Sequence, residues 1–241
     1  MHAVRHALEQ SSRDILEIWL QDNKRSAKQF DWLKQINQEA LPAIQYVSRQ
    51  VLDAHTNNGH HQGILIKCTA SPTQTADLDT LLNTEDKSSF LILVLDGIQD
   101  PHNLGACLRT ADAVGVTAVI IPKDRAVGVN ATVRKVASGA AESVPIIQVT
   151  NLARALRDMQ EAGIWIIGTT DEAEHTLYTH DFKKPVALVL GAEGKGLRHN
   201  TRNHCDDLVS IPMQGTVESL NVSVATGVCL FEILRQRKFN K

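Results

Sequence analysis

The sequence predicts an α/β protein whose larger part is a mostly parallel sheet with helices on both faces, preceded by a small α/β unit. Three observations predict it. From residue 89 onward, short β-branched and aliphatic runs alternate with helical stretches, which is the pattern of a covered parallel sheet. Several of these runs are almost continuously apolar, as strands buried on both faces are. A polar segment at 69–88, TASPTQTADLDTLLNTEDKS, separates them from an earlier region with its own apolar periodicity, as a linker between domains does.

In chain order, residues 2–9 read as a helix, 15–20 as a short strand and 24–40 as a helix with Phe30, Leu33, Ile36 and Leu41 near helical spacing. Residues 43–47 and 64–68 read as two further strands, with His60-His61 as a polar turn into the second. The first helix begins at residue 2 with no strand or cap ahead of it, which suggests that native residues are missing or trimmed. The front domain is thus 1–68, the linker 69–88 with one short helix at 77–82, and the larger domain 89–241. In the larger domain FLILVLD, TAVIIP, IWIIGT, VALVLG and DLVSIP are the strands, and 102–114, 130–140, 152–162 and 222–237 the helices. Asn151 suits an N-cap for the third helix. Ligands of such sheets bind beyond the C-terminal strand ends, so the loops after Asp96, Thr169, Leu190 and Pro212 are those to inspect.

Composition narrows the function. With 241 residues, 43% hydrophobic and 22% charged, the chain is neither collagenous nor wholly disordered. Its longest apolar runs, such as 90–95 and 185–190, fall far short of the roughly 20 residues of a membrane span. The start, MHAVRHALEQ, holds no signal-peptide core. Cys68, Cys107, Cys205 and Cys229 form no C-x-x-C pair and suit reduced thiols in cytosol. A cytoplasmic protein without membrane contact is expected. The net charge of −2 argues against a sequence-neutral DNA coater. Basic side chains gather locally at Lys123, Arg125, Arg134 and Lys135, and at Arg235, Arg237, Lys238 and Lys241; these fit either a solvated surface or phosphate contacts.

Three segments carry chemistry. In the first, DGIQDPHNLGACLRTADAV at 96–114, Leu104, Leu108 and Ala111 share one helix side, with Cys107 and Val114 at its edge. Arg109 lies off that side between Ala106 and Ala113, which leaves its five donors open to phosphate or carboxylate. Asn103 suits either a helix cap or a site. In the second, VALVLGAEGKGL at 186–197, Gly191, Gly194 and Gly196 follow a strand and enclose Glu193. Glycines there permit close backbone approach to a ligand, but the spacing is neither the dinucleotide nor the P-loop pattern. In the third, IPMQGTVESLNVSVATGVCLFE at 211–232, Ser219 and Asn221 stand where a helix begins and backbone N–H groups are free; Ser219 reads as a cap or as part of a site. Val222, Ala225, Val228 and Cys229 are that helix's expected buried side. No metal is expected, since H-E-x-x-H and cysteine pairs are absent.

Together NLGACLRT (103–110), LVLGAEGKGL (188–197) and IPMQGTVESLNVSVATG (211–227) resemble the SpoU (TrmH-like) family of RNA ribose 2′-O-methyltransferases in the SPOUT superfamily. The front domain, with HHQGI at 60–64, resembles the branch that methylates a guanosine ribose in the peptidyl-transferase loop of 23S ribosomal RNA. The resemblance runs essentially end to end. It implies a trefoil-knotted methyltransferase domain, an L30e-like RNA-binding front domain, S-adenosyl-L-methionine as methyl donor, and a homodimer with its site near the subunit interface. The RNA partner is naked 23S rRNA or a large-subunit assembly intermediate. By matched motif it implies catalytic roles for Asn103, Arg109, Glu193, Ser219 and Asn221. Gly191, Gly196, Ile211 and Leu220 would cradle the cofactor, Met213 would line its adenine pocket, and Thr169 would lie beside it.

The implied reaction moves a methyl from a sulfonium to a ribose 2′-oxygen, and the acceptor must shed its proton. The family role of Arg109 is to take it, yet guanidinium groups ordinarily titrate above about 12. A less demanding role is to hold the hydroxyl and an adjacent phosphate, stabilise the developing alkoxide and pass the proton on. Three alternatives stay open: a transfer-RNA guanosine 2′-O-methyltransferase, an inactive RNA-binding module, and a nucleotide-dependent transferase.

Overall fold

The computed structural model describes residues 4, 8, 15–23, 30–35, 41–56, 61–68, 77–194 and 196–239. The chain divides into two compact units, 1–73 and 74–241.

The front unit is built on a three-stranded sheet. Strand β1 (Ile15–Gln21) lies between β2 (Ile44–Val47), parallel to it, and β3 (Ile64–Cys68), antiparallel to it. Ile15, Ile18, Leu20 and Ile64 form its core with Leu8, Phe30 and Leu33. Residues 4 and 8 of the expected first helix are helical, and the rest of that span lies outside the described residues. Of the expected helix at 24–40, Asp31–Gln35 is a 3-10 helix instead; 24–29 and 36–40 lie outside the described residues.

Helix α1 (Arg49–His55) was not legible, because Leu52 is its only buried residue and leaves no apolar repeat. The Trp19 ring stacks on His55 with centroids 4.8 Å apart. The polar turn into β3 holds as expected at residues 61–63, with His60 outside the described residues. Nδ1 of His61 accepts the Gly63 N–H at 3.0 Å, and Nε2 meets Asp53 Oδ1 at 2.9 Å. With Nδ1 accepting, Nε2 carries the proton. His61 is a satisfied structural histidine.

The larger unit opens with α2 (Leu78–Leu82), whose Leu78 is buried in the larger unit's core. A seven-stranded sheet follows: β4 (Leu91–Asp96), β5 (Ala118–Pro122), β6 (Ile146–Val149), β7 (Trp165–Thr169), β8 (His175–Thr176), β9 (Val186–Gly191) and β10 (Asp207–Ser210). The spatial order is β6-β5-β4-β9-β7-β10-β8, and every pairing is parallel. Strands β6 and β8 were not anticipated; each has only four or two residues.

The continuous apolar runs now have their reason. Leu91, Leu93 and Leu95 of β4 face one core with α3 (Pro101–Val114) and α8 (Val222–Lys238). Ile92 and Val94 face the other with α6 (Leu152–Glu161). Alternate side chains of a strand point to opposite faces, and here both faces are covered. Asn151 caps α6 as expected, accepting the Arg154 N–H at 3.0 Å.

The expected helix at 130–140 is instead two, α4 (Ala131–Ala137) and α5 (Ala140–Ser143). Ser138 at φ 54° and Gly139 at φ 105° break it, because left-handed residues end a helix. The buried side of α8 also differs from expectation. Val222 and Cys229 are buried together with Thr226, Leu230 and Ile233, while Ala225 and Val228 are half-buried against the same core.

The chain builds β4, β5 and β6 outward to one side. It then crosses to β7 and returns through β9 between β4 and β7. That reversal opens a crevice at the C-terminal strand ends, the place where α/β sheets take ligands.

Candidate functional site

Helix α3 starts at Pro101, one residue ahead of the expected 102–114. Asp100 is the N-cap, its side chain accepts the His102 N–H at 2.8 Å, and Pro101 takes the first helical position, where its missing N–H costs nothing. Asn103 therefore does not cap the helix. It is buried in the first turn, and its Nδ2 donates to Glu193 Oε1 at 3.0 Å.

The third segment corrects a second cap. Asn221, not Ser219, caps α8, accepting the Ser223 N–H at 2.9 Å and the Ser223 hydroxyl at 2.6 Å. Its Nδ2 donates to Asn103 Oδ1 at 3.1 Å and to Glu193 Oε1. Three distant segments thus meet in one cluster: a carboxylate oxygen takes two amide donors, and the two amides are joined to each other. Both asparagines sit at helix N-termini, where the helix dipole favours a negative charge. The carboxylate inside the glycine loop is held by that arrangement.

Gly191 ends β9 where the loop doubles back. A Cβ there would lie 2.0 Å from the Gly196 carbonyl carbon and 2.3 Å from the Leu197 nitrogen, so only glycine fits. Ala192 bridges to Gly196, and Glu193 is carried at the exposed tip.

Beside this loop lies an open cavity of about 420 Å³, within the range of small-molecule sites. Thr169, Gly191, Gly196, Ile211, Met213 and Leu220 all line it, as do Glu193 and Ser219. Thr169 is held at the end of β7 by its hydroxyl, which donates to the Val189 carbonyl at 3.2 Å. Ile211, Met213, Leu220 and Leu190 offer apolar contact for a flat heterocycle, while Asp171 and Glu218 bring negative charge to the same walls. A ligand with an aromatic base and a cationic centre fits that donor set.

Asn103, Asn221 and Arg109 are not among the residues that line the cavity. Arg109 is exposed on α3 and has no hydrogen-bond or ion-pair partner among the described residues, while Leu104, Cys107, Leu108 and Ala111 bury the helix's other side. It stands six residues beyond Asn103, about 9 Å along a helix.

One feature of the cavity rim was not legible in the sequence, the ion pair of Arg202 Nη1 with Glu172 Oε2 at 2.9 Å. Arg202 sits on α7 (His199–Arg202), which is too short to show periodicity. Its only signal was charge. Among the described residues no three His, Cys, Asp or Glu side chains gather as a metal site, and no helix is long and apolar enough to cross a membrane.

Residues 90–231 match the SpoU rRNA Methylase family, and residues 1–74 match the family described as RNA 2′-O ribose methyltransferase substrate binding. The 23S rRNA (guanosine-2′-O-)-methyltransferase RlmB of Ralstonia nicotianae is 55% identical over 236 residues, 98% of this chain and 94% of that protein. The protein of the same name from Escherichia coli is 50% identical over 238 residues, 98% of this chain and 97% of its own length. Among solved structures, the SpoU methyltransferase AviRb from Streptomyces viridochromogenes, in complex with AdoMet, shares the fold. Its TM-score is 0.72 at 22% identity, over 100% of this chain and 88% of that one.

Proposed function

The chain belongs to the SpoU rRNA Methylase family, and we propose that it transfers the methyl group of S-adenosyl-L-methionine to the ribose 2′-hydroxyl of one guanosine in 23S rRNA. The observation that carries this reading is the convergence of Asn103, Glu193 and Asn221 beside the cavity lined by Gly191, Ile211 and Leu220.

The donor, when bound, supplies a methyl already activated on a sulfonium. Ile211, Met213 and Leu220 take its base, the backbone of the Gly191 loop and Thr169 take its polar groups, and the acidic walls suit its positive charge. The remaining difficulty is the weak nucleophile. Arg109, without another partner among the described residues, holds the hydroxyl and an adjacent phosphate and stabilises the alkoxide as it forms, while the hydroxyl proton leaves to that phosphate or to solvent water. Asn103, Glu193 and Asn221 fix the loop and the acceptor, and Ser219 meets the ribose from the cavity wall. Most of the acceleration then comes from positioning.

Residues 1–68 serve as an L30e-like RNA-binding domain, 69–88 as linker and 89–241 as the trefoil-knotted catalytic domain. The enzyme works in the cytoplasm as a homodimer. Val224 and Phe231, about half-exposed on α8, belong to the face offered to the second subunit. Its substrate is the peptidyl-transferase loop, in free rRNA or in an assembling large subunit.

Deleting the gene and mapping ribose methylation across ribosomal and transfer RNA tests this. One 2′-O-methylguanosine should vanish from that loop and return with the wild-type gene but not with Arg109→Ala. An intact ribosomal mark with a missing transfer-RNA mark would overturn the target. Arg109→Ala retaining more than about a tenth of wild-type turnover would remove its central role, because lost acid–base help typically costs 10²–10⁴-fold.

A further inference from the structure

Asp96 ends β4, directly opposite Gly191 in the sheet register, and is 1% exposed. A buried carboxylate is costly unless it is paired and hydrogen-bonded. Oδ2 accepts the backbone N–H of Arg198 at 3.1 Å. Oδ1 has no hydrogen-bond partner among the described residues, and Arg198 Nε lies 3.4 Å from it. That separation is an ion pair but too long for a good hydrogen bond. The main chain of Arg198 is therefore fixed, while its guanidinium is held to Asp96 by charge and the side chain stays 41% exposed.

Arg198 Nη2 reaches the carbonyl oxygen of Arg125 at 3.3 Å. Arg125 is itself unusual: it is exposed and adopts φ 54° without being glycine, and such backbone persists only where its surroundings impose it. The Val127 N–H donates to the Ile98 carbonyl at 2.8 Å and ties this loop to the end of β4. The Arg198 guanidinium thus holds the backbone of the Arg125 loop at the C-terminal end of the sheet, and that loop carries a second exposed arginine. The side chain of Arg125 has no hydrogen-bond or ion-pair partner among the described residues, and Asp124 is its acidic neighbour in the chain. None of Asp96, Arg125 or Arg198 lines the cavity.

We propose that Arg198, oriented by the buried Asp96 and joined by Arg125, forms a phosphate-binding subsite for the RNA strand that carries the acceptor nucleotide. A planar guanidinium with open donors suits a phosphate, and the Asp96 anchor limits the rotamer freedom lost on binding. This rests on the methyltransferase reading for the identity of the strand. Its geometry does not.

The test uses the full chain, without cofactor, and a transcript of the large-subunit peptidyl-transferase loop, with affinity measured against salt concentration. Arg198→Ala should weaken binding roughly tenfold or more and flatten the log–log salt slope by about one. Arg198→Lys should restore the slope but only part of the affinity. In the transfer assay KM for RNA should rise more than kcat falls. Arg125→Ala leaves the Asp96–Arg198 pair intact and should also flatten the slope, so it answers the question even if Arg198→Ala does not fold. Unchanged slopes in both, with only the melting temperature or cofactor affinity lowered, would make the pair a loop brace and overturn the subsite. A wild type that never methylates RNA while Arg198→Ala still flattens the slope would fell the reaction and leave the subsite standing.

Discussion

Asn103 and Glu193, ninety positions apart in the chain, share a hydrogen bond of 3.0 Å from amide to carboxylate. The bond joins the first turn of α3 to the glycine loop after β9, and Asn221 closes the triangle from the cap of α8. Each partner is defined by its role: Glu193 only accepts, and both asparagines donate to it. Replacing the carboxylate should therefore do more than remove one contact.

Glu193→Gln is nearly isosteric but turns an anion into a neutral amide that competes for the same orientation. We expect methyl transfer to fall by about 10²-fold or more, with a stability change near 1 kcal/mol, because Glu193 is exposed at the loop tip. Single-turnover methyl transfer beside thermal melting separates the two effects. Near-normal transfer would show that Glu193 neither fixes the loop nor orients the acceptor.

The glycine loop permits a sharper comparison. Gly191→Ala would drive a Cβ into backbone atoms at 2.0 Å, so the loop must move. Gly194→Ala meets nothing within 4 Å and suffers only its φ of +71°, a cost of roughly 1–2 kcal/mol. Calorimetry with S-adenosyl-L-methionine should find binding lost in the first variant and kept within severalfold in the second. Equal affinities would mean that the Gly191 turn does not shape the cavity.

The outline of the fold was legible because β4, β5, β7 and β9 are buried on both faces and spell that burial as unbroken apolar runs. The elements missed were α1, α7, β6 and β8, each of seven residues or fewer, too short for periodicity to accumulate. Resemblance named the candidate site residues, but their arrangement was not legible. Sequence placed Asn103 and Ser219 as possible caps, whereas Asp100 and Asn221 hold those positions. Spacing along a chain cannot say which of two neighbouring polar side chains turns inward across ninety residues. Nothing in the sequence singled out Arg198, because the buried Asp96 that gives it a place lies 102 positions away.

The thiols supply a pH prediction. Burial, opposed by the hydrogen bond shared with Thr226 and reinforced by the Glu193 charge, pushes the Cys107 thiol up to about 11, and burial pushes Cys229 up to about 12. The unfolded thiols titrate near 9. Below that both states hold the proton and stability is unaffected. Above it the unfolded chain loses protons that the folded chain keeps, so stability falls as pH rises, by about 1.4 kcal/mol per unit per thiol until the folded value is reached. Denaturant titrations at pH 8 and 10.5 should show this loss, smaller in Cys107→Ala relative to its own value at pH 8. In native protein at pH 8, the exposed Cys68 should react with a thiol reagent well before Cys107 and Cys229. Equal labelling rates would contradict the burial of the two helix thiols.

Arg237 near the end of α8 gives the last prediction. Its Nε donates to the Phe182 carbonyl at 2.9 Å, Nη1 to Ser89 at 2.9 Å, and Nη2 to Phe90 at 3.0 Å and Lys184 at 2.5 Å. One fork thus closes the segments entering β4 and β9 onto the final helix. Burial lowers the pKa of this guanidinium, and with no carboxylate among those partners it is held by carbonyl dipoles alone. Gln236 works alongside it, accepting the Phe182 N–H at 3.1 Å and donating to the His180 carbonyl at 3.0 Å. Arg237→Met keeps much of the stem's packing but leaves those carbonyls without their donor. Some of them reach water, so we expect a loss of roughly 2–3 kcal/mol rather than the sum over four bonds. That corresponds to a drop of about 5–10 °C in Tm. Arg237→Lys has one nitrogen and cannot span the two segments, so it should recover less than half of the loss. S-adenosyl-L-methionine binding at low temperature should be unchanged in both, since Arg237 does not line the cavity. Full stability in Arg237→Met would mean that apolar packing of α8 alone holds the final helix against the sheet.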